Sequence, residues 1–289
     1  MVRRLVVAGL GLAMCLTTAC AGPDAGPSES ASASTSERTS SATTTTSGTT
    51  KPPRALARAV GRVVAEHPDA DIAIAWAPVG TTGKVQVVGD PQPLVAWSTI
   101  KVPLSLAVVR AGHGERMGAD IDRSLTASDN EAAGRLWADL GGGDAAAAAV
   151  EDQLQRGRDH RTGVPPQVTV VGFSPFGQAT WRLTDQTRFT AALPCLAGSR
   201  TITDAMGRVV DGQRWGLGGI DGARYKGGWG STPKGYVVRQ LGIVPGTKGD
   251  TAVTLQVRSG THAEGTGLAD ELTTALRAHR GELPVGSCD

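Results

Sequence analysis

Three short motifs stand in one order along the chain: Ser98-Thr99-Ile100-Lys101, then Ser128-Asp129-Asn130, then Lys226-Gly227-Gly228. They read as S-x-x-K, S-D-N and a variant of K-[ST]-G. Any one of these strings arises readily by chance. Three in this order, each in a fitting local setting, demand a scaffold that brings a helix start, a turn between helices and a strand together. Positions i and i+3 of a helix share a face, so Ser98 and Lys101 should point the same way. A serine hydroxyl is a poor nucleophile without a base in reach, and a lysine serves when burial or a nearby positive potential lowers its pKa. Ser98 is the expected nucleophile and Lys101 its base. An N-cap serine beside a solvated lysine is the competing reading of the tetrapeptide alone.

Ser128-Asp129-Asn130 falls between two helical patterns, Arg116 to Thr126 and Glu131 to Leu140. A hydroxyl there can relay a proton to a leaving nitrogen, and a carboxamide can orient a substrate amide. Asp129 suits a bracing role, since Ser, Asp and Asn all favour helix N-caps. Lys226 lies on an expected strand where it can meet a carboxylate. Gly228 would let a substrate backbone approach, and the N–H of Trp229 could join that of Ser98 in an oxyanion hole. Gly227 lacks the hydroxyl that Ser or Thr would offer.

On these motifs the chain resembles the class A serine β-lactamases, within the penicillin-recognising serine hydrolases, from about residue 54 to 280. The stretch Met117 to Ala133, Trp215-Gly216-Leu217, and Leu268 to Leu276 are similar to the family as well. The resemblance implies an acyl-enzyme on Ser98, assistance from Lys101, a proton shuttle at Ser128, an amide contact at Asn130 and a carboxylate contact at Lys226. It also places Lys234 roughly where the family often has a carboxylate-anchoring arginine, and it implies a monomer.

Two departures bear on function. The family carries a glutamate within an E-x-x-L-N string on an Ω-shaped loop, where it activates the deacylating water. Between Arg161 and Thr184 this chain has no Asp or Glu. Asp159, His160 and Asp185 flank the gap and read as solvated groups or helix caps. The expectation is acylation without efficient turnover, because a general base supplies roughly 10²- to 10⁴-fold. The path from Ser98 to Ser128 is also short, with His113 to Glu115 expected as a tight turn beside a more open mouth.

The chain opens with Arg3-Arg4, an apolar run from Leu5 to Leu16, and Thr17-Thr18-Ala19-Cys20. That pattern predicts a signal peptide over 1–19, too short for a membrane span of roughly 20 residues. Cys20 resembles a lipobox cysteine, which predicts an extracytoplasmic protein anchored to the membrane by lipid, or secreted if the lipobox is not used. Residues 20–51 lack large apolar side chains to bury and are expected to form a disordered tether spanning roughly 30 Å. Residues 52–289 then suffice for one substantial domain. Cys195 and Cys288 remain, and outside the cytoplasm they should pair, with two separately buried thiols as the alternative.

Apolar periodicity predicts a helix over Arg54 to Glu66 and strands over Asp71 to Pro78 and Lys84 to Val88. A short strand-like stretch, Leu94 to Trp97, leads into the nucleophile. Helices are expected over Ser98 to Arg110, Asp144 to Gln155, Thr184 to Leu196 and Thr201 to Val210. Strands follow at Tyr225 to Gly228, Tyr236 to Val244 and Thr251 to Arg258, before a last helix at Glu264 to His279. This is an α/β (α+β) fold: an antiparallel sheet flanked by helices, with an inserted all-helical subdomain, β-lactamase/transpeptidase-like. The net charge of +2 implies no nucleic-acid partner. The five histidines lack metal-ligand spacing, so neither a metal nor a cofactor is expected. Three functions compete: a serine hydrolase acting on β-lactams or D-Ala-D-Ala-like peptides with poor deacylation, a penicillin-binding D,D-peptidase, and a cell-wall lipoprotein that kept the fold without catalysis.

Overall fold

The computed structural model describes residues 54–81 and 83–288. The expected signal peptide, Cys20 and the expected tether lie outside the described residues. In chain order the elements are α1 (Arg54–Glu66), β1 (Asp71–Pro78), β2 (Gln86–Gly89), β3 (Leu94–Val95), α2 (Lys101–Val108), α3 (Gly118–Thr126), α4 (Asn130–Asp139) and α5 (Gly143–Arg156). There follow β4 (Thr180–Trp181), α6 (Leu183–Ala192), α7 (Ser199–Met206), β5 (Arg224–Thr232), β6 (Gly235–Pro245), β7 (Asp250–Ser259) and α8 (His262–Ala278).

Five strands form one antiparallel sheet in the order β2-β1-β7-β6-β5, while β3 and β4 pair separately. Alternation along β1 sorts side chains by size. Ile72, Ile74 and Trp76 join Leu56 and Val60 of α1 and Leu268, Leu272 and Leu276 of α8 in one core. Ala73, Ala75 and Ala77 face the other way, where their small size lets α6 pack close. On that side lies the helical subdomain, built around α2, whose eight residues are all buried. A helix enclosed on every side has no polar face, which is why its sequence is apolar almost throughout.

Several elements depart from expectation. The segment expected as one helix over Ser98 to Arg110 begins as a 3₁₀ turn, Trp97–Ile100, and ends in a wide turn, Val109–His113, with Gly112 at φ +82°. Pro103 has no N–H to give to the carbonyl of Thr99, so the first turn cannot close with α-type bonds and tightens. The stretch after α2 is correspondingly wider than the tight turn expected at His113 to Glu115. Pro194 ends α6 early, Gly207 ends α7, and β4 was not legible because two residues carry no period.

Cys195 and Cys288 are bonded, which ties the chain's last residues to the turn after α6. A crosslink spanning 93 residues of sequence restricts the denatured chain by an amount worth roughly 2–5 kcal/mol. Reduction is therefore expected to lower the melting temperature by roughly 5–15 °C. An unchanged melting curve in reductant would contradict this.

Candidate active site

The turn that carries Ser98 is entered through Trp97, a non-glycine residue held at φ +48°. A bulky residue in the left-handed region costs of order 1–3 kcal/mol and persists only where its surroundings enforce it. Here the surroundings are polar and buried. Arg239 of β6 is wholly enclosed and donates to Leu94 O at 2.9 Å, Val95 O at 3.1 Å, Trp181 O at 3.0 Å and Gln186 Oε1 at 2.8 Å. Gln186 Nε2 donates to Thr99 Oγ1 at 2.9 Å, and that hydroxyl donates to Ala96 O at 2.5 Å. Burial pushes the Arg239 guanidinium down to about 9. Sequence reasoning missed this brace, although a charge inside the apolar run Tyr236 to Val244 was its signal.

Ser98 is half-buried at the head of the turn, and its hydroxyl makes no hydrogen bond among the described residues. The Lys101 amine lies behind it and donates to Ser128 O at 2.6 Å and Asn130 Oδ1 at 2.7 Å, with longer contacts to Ser128 Oγ at 3.4 Å and Asp129 O at 3.3 Å. Ser128 sits in the turn between α3 and α4 at φ +58°. Asp129 caps α4 by accepting from Glu131 N at 2.8 Å and Ala132 N at 3.0 Å, bonds that hold its carboxyl below the usual range. From β5 the buried Lys226, which does not itself border the cavity, donates to Ser128 Oγ at 2.9 Å and Gly227 O at 2.7 Å. Two buried amines thus converge on one hydroxyl. Burial lowers Lys101 to about 8, partly offset by Asp129, and lowers Lys226 well below its ordinary value, with the Lys101 charge adding to the effect. A neutral amine can take a serine proton, so near-neutral pH is the range in which this cluster can work as a base.

β5 is an edge strand, and its residues alternate between two faces. Lys226, Gly228 and Gly230 face the Ser98 turn; Tyr225, Gly227 and Trp229 face Trp215. The two-residue turn Pro233-Lys234 closes on the Thr232–Gly235 pair, and counting back in steps of two puts the Trp229 N–H toward the open edge. A Cβ at Gly228 would lie 2.9 Å from Ser98 N, 3.0 Å from Thr99 N and 3.1 Å from Ala96 O, all backbone atoms that cannot swing aside. Gly228→Ala is therefore expected to displace the Ser98 turn, at a cost of roughly 1–3 kcal/mol, and to abolish any chemistry at Ser98. Thermal melting and covalent labelling of that variant measure both. At Gly227 the place of the missing hydroxyl is taken: a Cβ there would meet the Trp215 indole at 3.0 Å.

Trp97, Ser98, Lys101, Asn130 and Phe173 border a cavity of about 290 Å³. No carboxylate lines it. Asp159 and Asp185, expected to be solvated or capping, are instead buried and engaged. Asp159 accepts from Trp181 Nε1 at 2.8 Å and from the N–H groups of Arg161 and Thr162 at 3.1 Å, while Asp185 pairs with Arg161 and Arg188. Their anionic oxygens have found cationic and N–H partners, which is what lets them be buried. His160 is exposed. Lys234 also differs from expectation: it is exposed on the β5–β6 turn and does not border the cavity, because the short hairpin ends before its side chain can return to the site.

No protein-family model matches the chain, and no curated protein matches it. Among solved structures, an ancestral class A β-lactamase is 17% identical, with a TM-score of 0.58 over 77% of this chain and 99% of that one. PBP-A is 19% identical, with a TM-score of 0.60 over 81% of this chain and 98% of that one. A PBP-A variant solved as an acyl-enzyme complex with penicillin G is 18% identical, with the same TM-score and the same coverage. Likeness at such identity is a matter of architecture, and the chain has the fold of the class A β-lactamases and penicillin-recognising serine hydrolases.

Proposed function

We propose that this protein is an exported, lipid-anchored serine hydrolase that is acylated on Ser98 by β-lactams or D-Ala-D-Ala-like peptides and gives up the acyl group slowly. The observation that carries the reading is the convergence of Lys101 and Lys226 on Ser128 beside a cavity with Ser98 at its edge. Ser98 Oγ attacks the amide carbonyl carbon and passes its proton to neutral Lys101. The oxyanion is held by the N–H groups of Ser98 and Trp229. As the C–N bond breaks, Ser128 gives a proton to the leaving nitrogen, and the Lys101–Ser128–Lys226 cluster resupplies it. Asn130 orients the acyl amide, and Lys226, buried behind Ser128, attracts the substrate carboxylate by its charge. Ser98 Oγ and Lys101 do not yet share a hydrogen bond, a contact that often tightens only when substrate is bound. Export and anchoring rest on Arg3-Arg4, the following apolar run and Cys20.

The carboxylate-free cavity favours a second reading, a penicillin-binding D,D-peptidase that manages without the loop glutamate, its acyl group passing to water or to a peptide amine while the Ser98 hydroxyl regains its proton. Both readings require Ser98. The purified full chain should bind a fluorescent penicillin covalently, and Ser98→Ala should not. Equal labelling of both proteins, or of neither, would remove both readings and leave a structural lipoprotein.

A further inference from the structure

The loop leading to β4 exposes large apolar side chains that the fold does not need. Among the described residues, Val168, Val170, Val171 and Phe173 are four of the six exposed large hydrophobics, with Val171 95% exposed. The loop holding them is pinned: Gln178 Oε1 accepts from Thr169 N, Thr169 Oγ1 and Val170 N, and Gln178 Nε2 donates to Ser174 O. Phe173 leaves the loop and meets the Trp97 ring edge-on at a centroid distance of 5.0 Å, beside Ser98. The Trp97 indole N–H is buried and has no partner among the described residues. The one ionisable side chain bordering the cavity is Lys101, and no carboxylate borders it, so a charged ammonium on a ligand would find no counter-ion there.

We propose that this site selects acyl donors whose acyl side chain is aromatic or branched and apolar, seated against Trp97 and Phe173. The cavity, about 290 Å³, sits at the small end of ligand pockets, which suits one such group. Phe173 is then a specificity-determining residue. The preference rests on the acyl-transfer reading for its chemistry, but it resides in the walls and is measurable without catalysis.

Benzylpenicillin and a penicillin with a polar aminoadipyl side chain are the probes. Their dissociation constants are measured by calorimetry on full-length Ser98→Ala, and their acylation rates on the unmodified chain. Burying a phenyl group predicts a preference for benzylpenicillin of roughly tenfold or more in both. Phe173→Ser in the same Ser98→Ala background should reduce the ratio to below about threefold, and Phe173→Leu, which keeps apolar bulk, should retain most of it. A ratio near one in Ser98→Ala, or a ratio indifferent to Phe173→Ser, overturns the proposal. If the binding preference is present but neither penicillin acylates Ser98, the acyl-transfer reading fails and this inference stands. If both acylate at equal rates, the reverse holds.

Discussion

Once acylated by a penicillin, the full chain is expected to hold its acyl group for hours while hydrolysing a chromogenic cephalosporin barely faster than buffer does. The reason is the composition of the cavity wall. Hydrolysis of the Ser98 ester needs a water deprotonated on the side away from the departed amine, and a general base there is worth roughly 10²- to 10⁴-fold. Residues 161–184 contain no carboxylate. The two aspartates beside that stretch are buried in other pairings, Asp159 with the Trp181 indole and Asp185 with two arginines. The experiment is a pulse of fluorescent penicillin followed by a chase with unlabelled drug, with intact-mass spectrometry to count the adduct. Label that decays within minutes, with sustained cephalosporin turnover, would mean that a water-activating group works from outside the cavity lining, and the slow-release part of the proposal would fall.

The second large effect is on pH. Burial brings Lys101 from an ordinary 10.5 to about 8, so the neutral, proton-accepting form dominates above about pH 8 and falls tenfold per unit below it. The acylation rate of Ser98 should therefore climb about tenfold per pH unit from 6 toward 8 and level off above. Lys101→Met should reduce the rate roughly 10²- to 10⁴-fold and erase that slope. Stability follows the same proton. The folded pKa lies below the unfolded one, so between about pH 8 and 10.5 the unfolded chain binds more protons, and stability rises with pH across that window. The shift is worth about 3 kcal/mol for Lys101. Lys226, lowered for the same reason, adds to it in the same direction. A labelling rate that is flat from pH 6 to 8, or a Lys101→Met protein that labels normally, would remove Lys101 as the base. Denaturant titrations at pH 8 and pH 10 test the linkage separately.

Local chemistry explains which parts of the molecule could be read in advance. α1 and β1 fall on the residues that their periodicity predicts, because Leu56 and Val60 mark one helix face and Ile72, Ile74 and Trp76 mark one strand face. The three motifs likewise singled out Ser98, Lys101, Ser128, Asn130 and Lys226 as candidates, since each string carries its residue types and spacing locally, but the strings themselves do not bring the three segments together. Lys234 misled because position along a hairpin does not say where the turn ends.

What the amino-acid order determined by itself is therefore most of the longer helices and strands, the candidate reacting groups and the lack of a carboxylate in the loop. These depend on spacing over a few residues. Tertiary structure alone decided the state of those groups. Only packing turns Lys101 and Lys226 into buried amines facing one hydroxyl, draws Asp159 and Asp185 away from the cavity, and fills the space beside Gly227 with Trp215. Only packing, too, runs a brace from Arg239 through Gln186 to the nucleophile turn, joining residues 53 and 87 positions apart. Burial and charge pairing are properties of distance in space, and no local pattern encodes the distance between segments that meet only when the sheet and the helical subdomain close on each other.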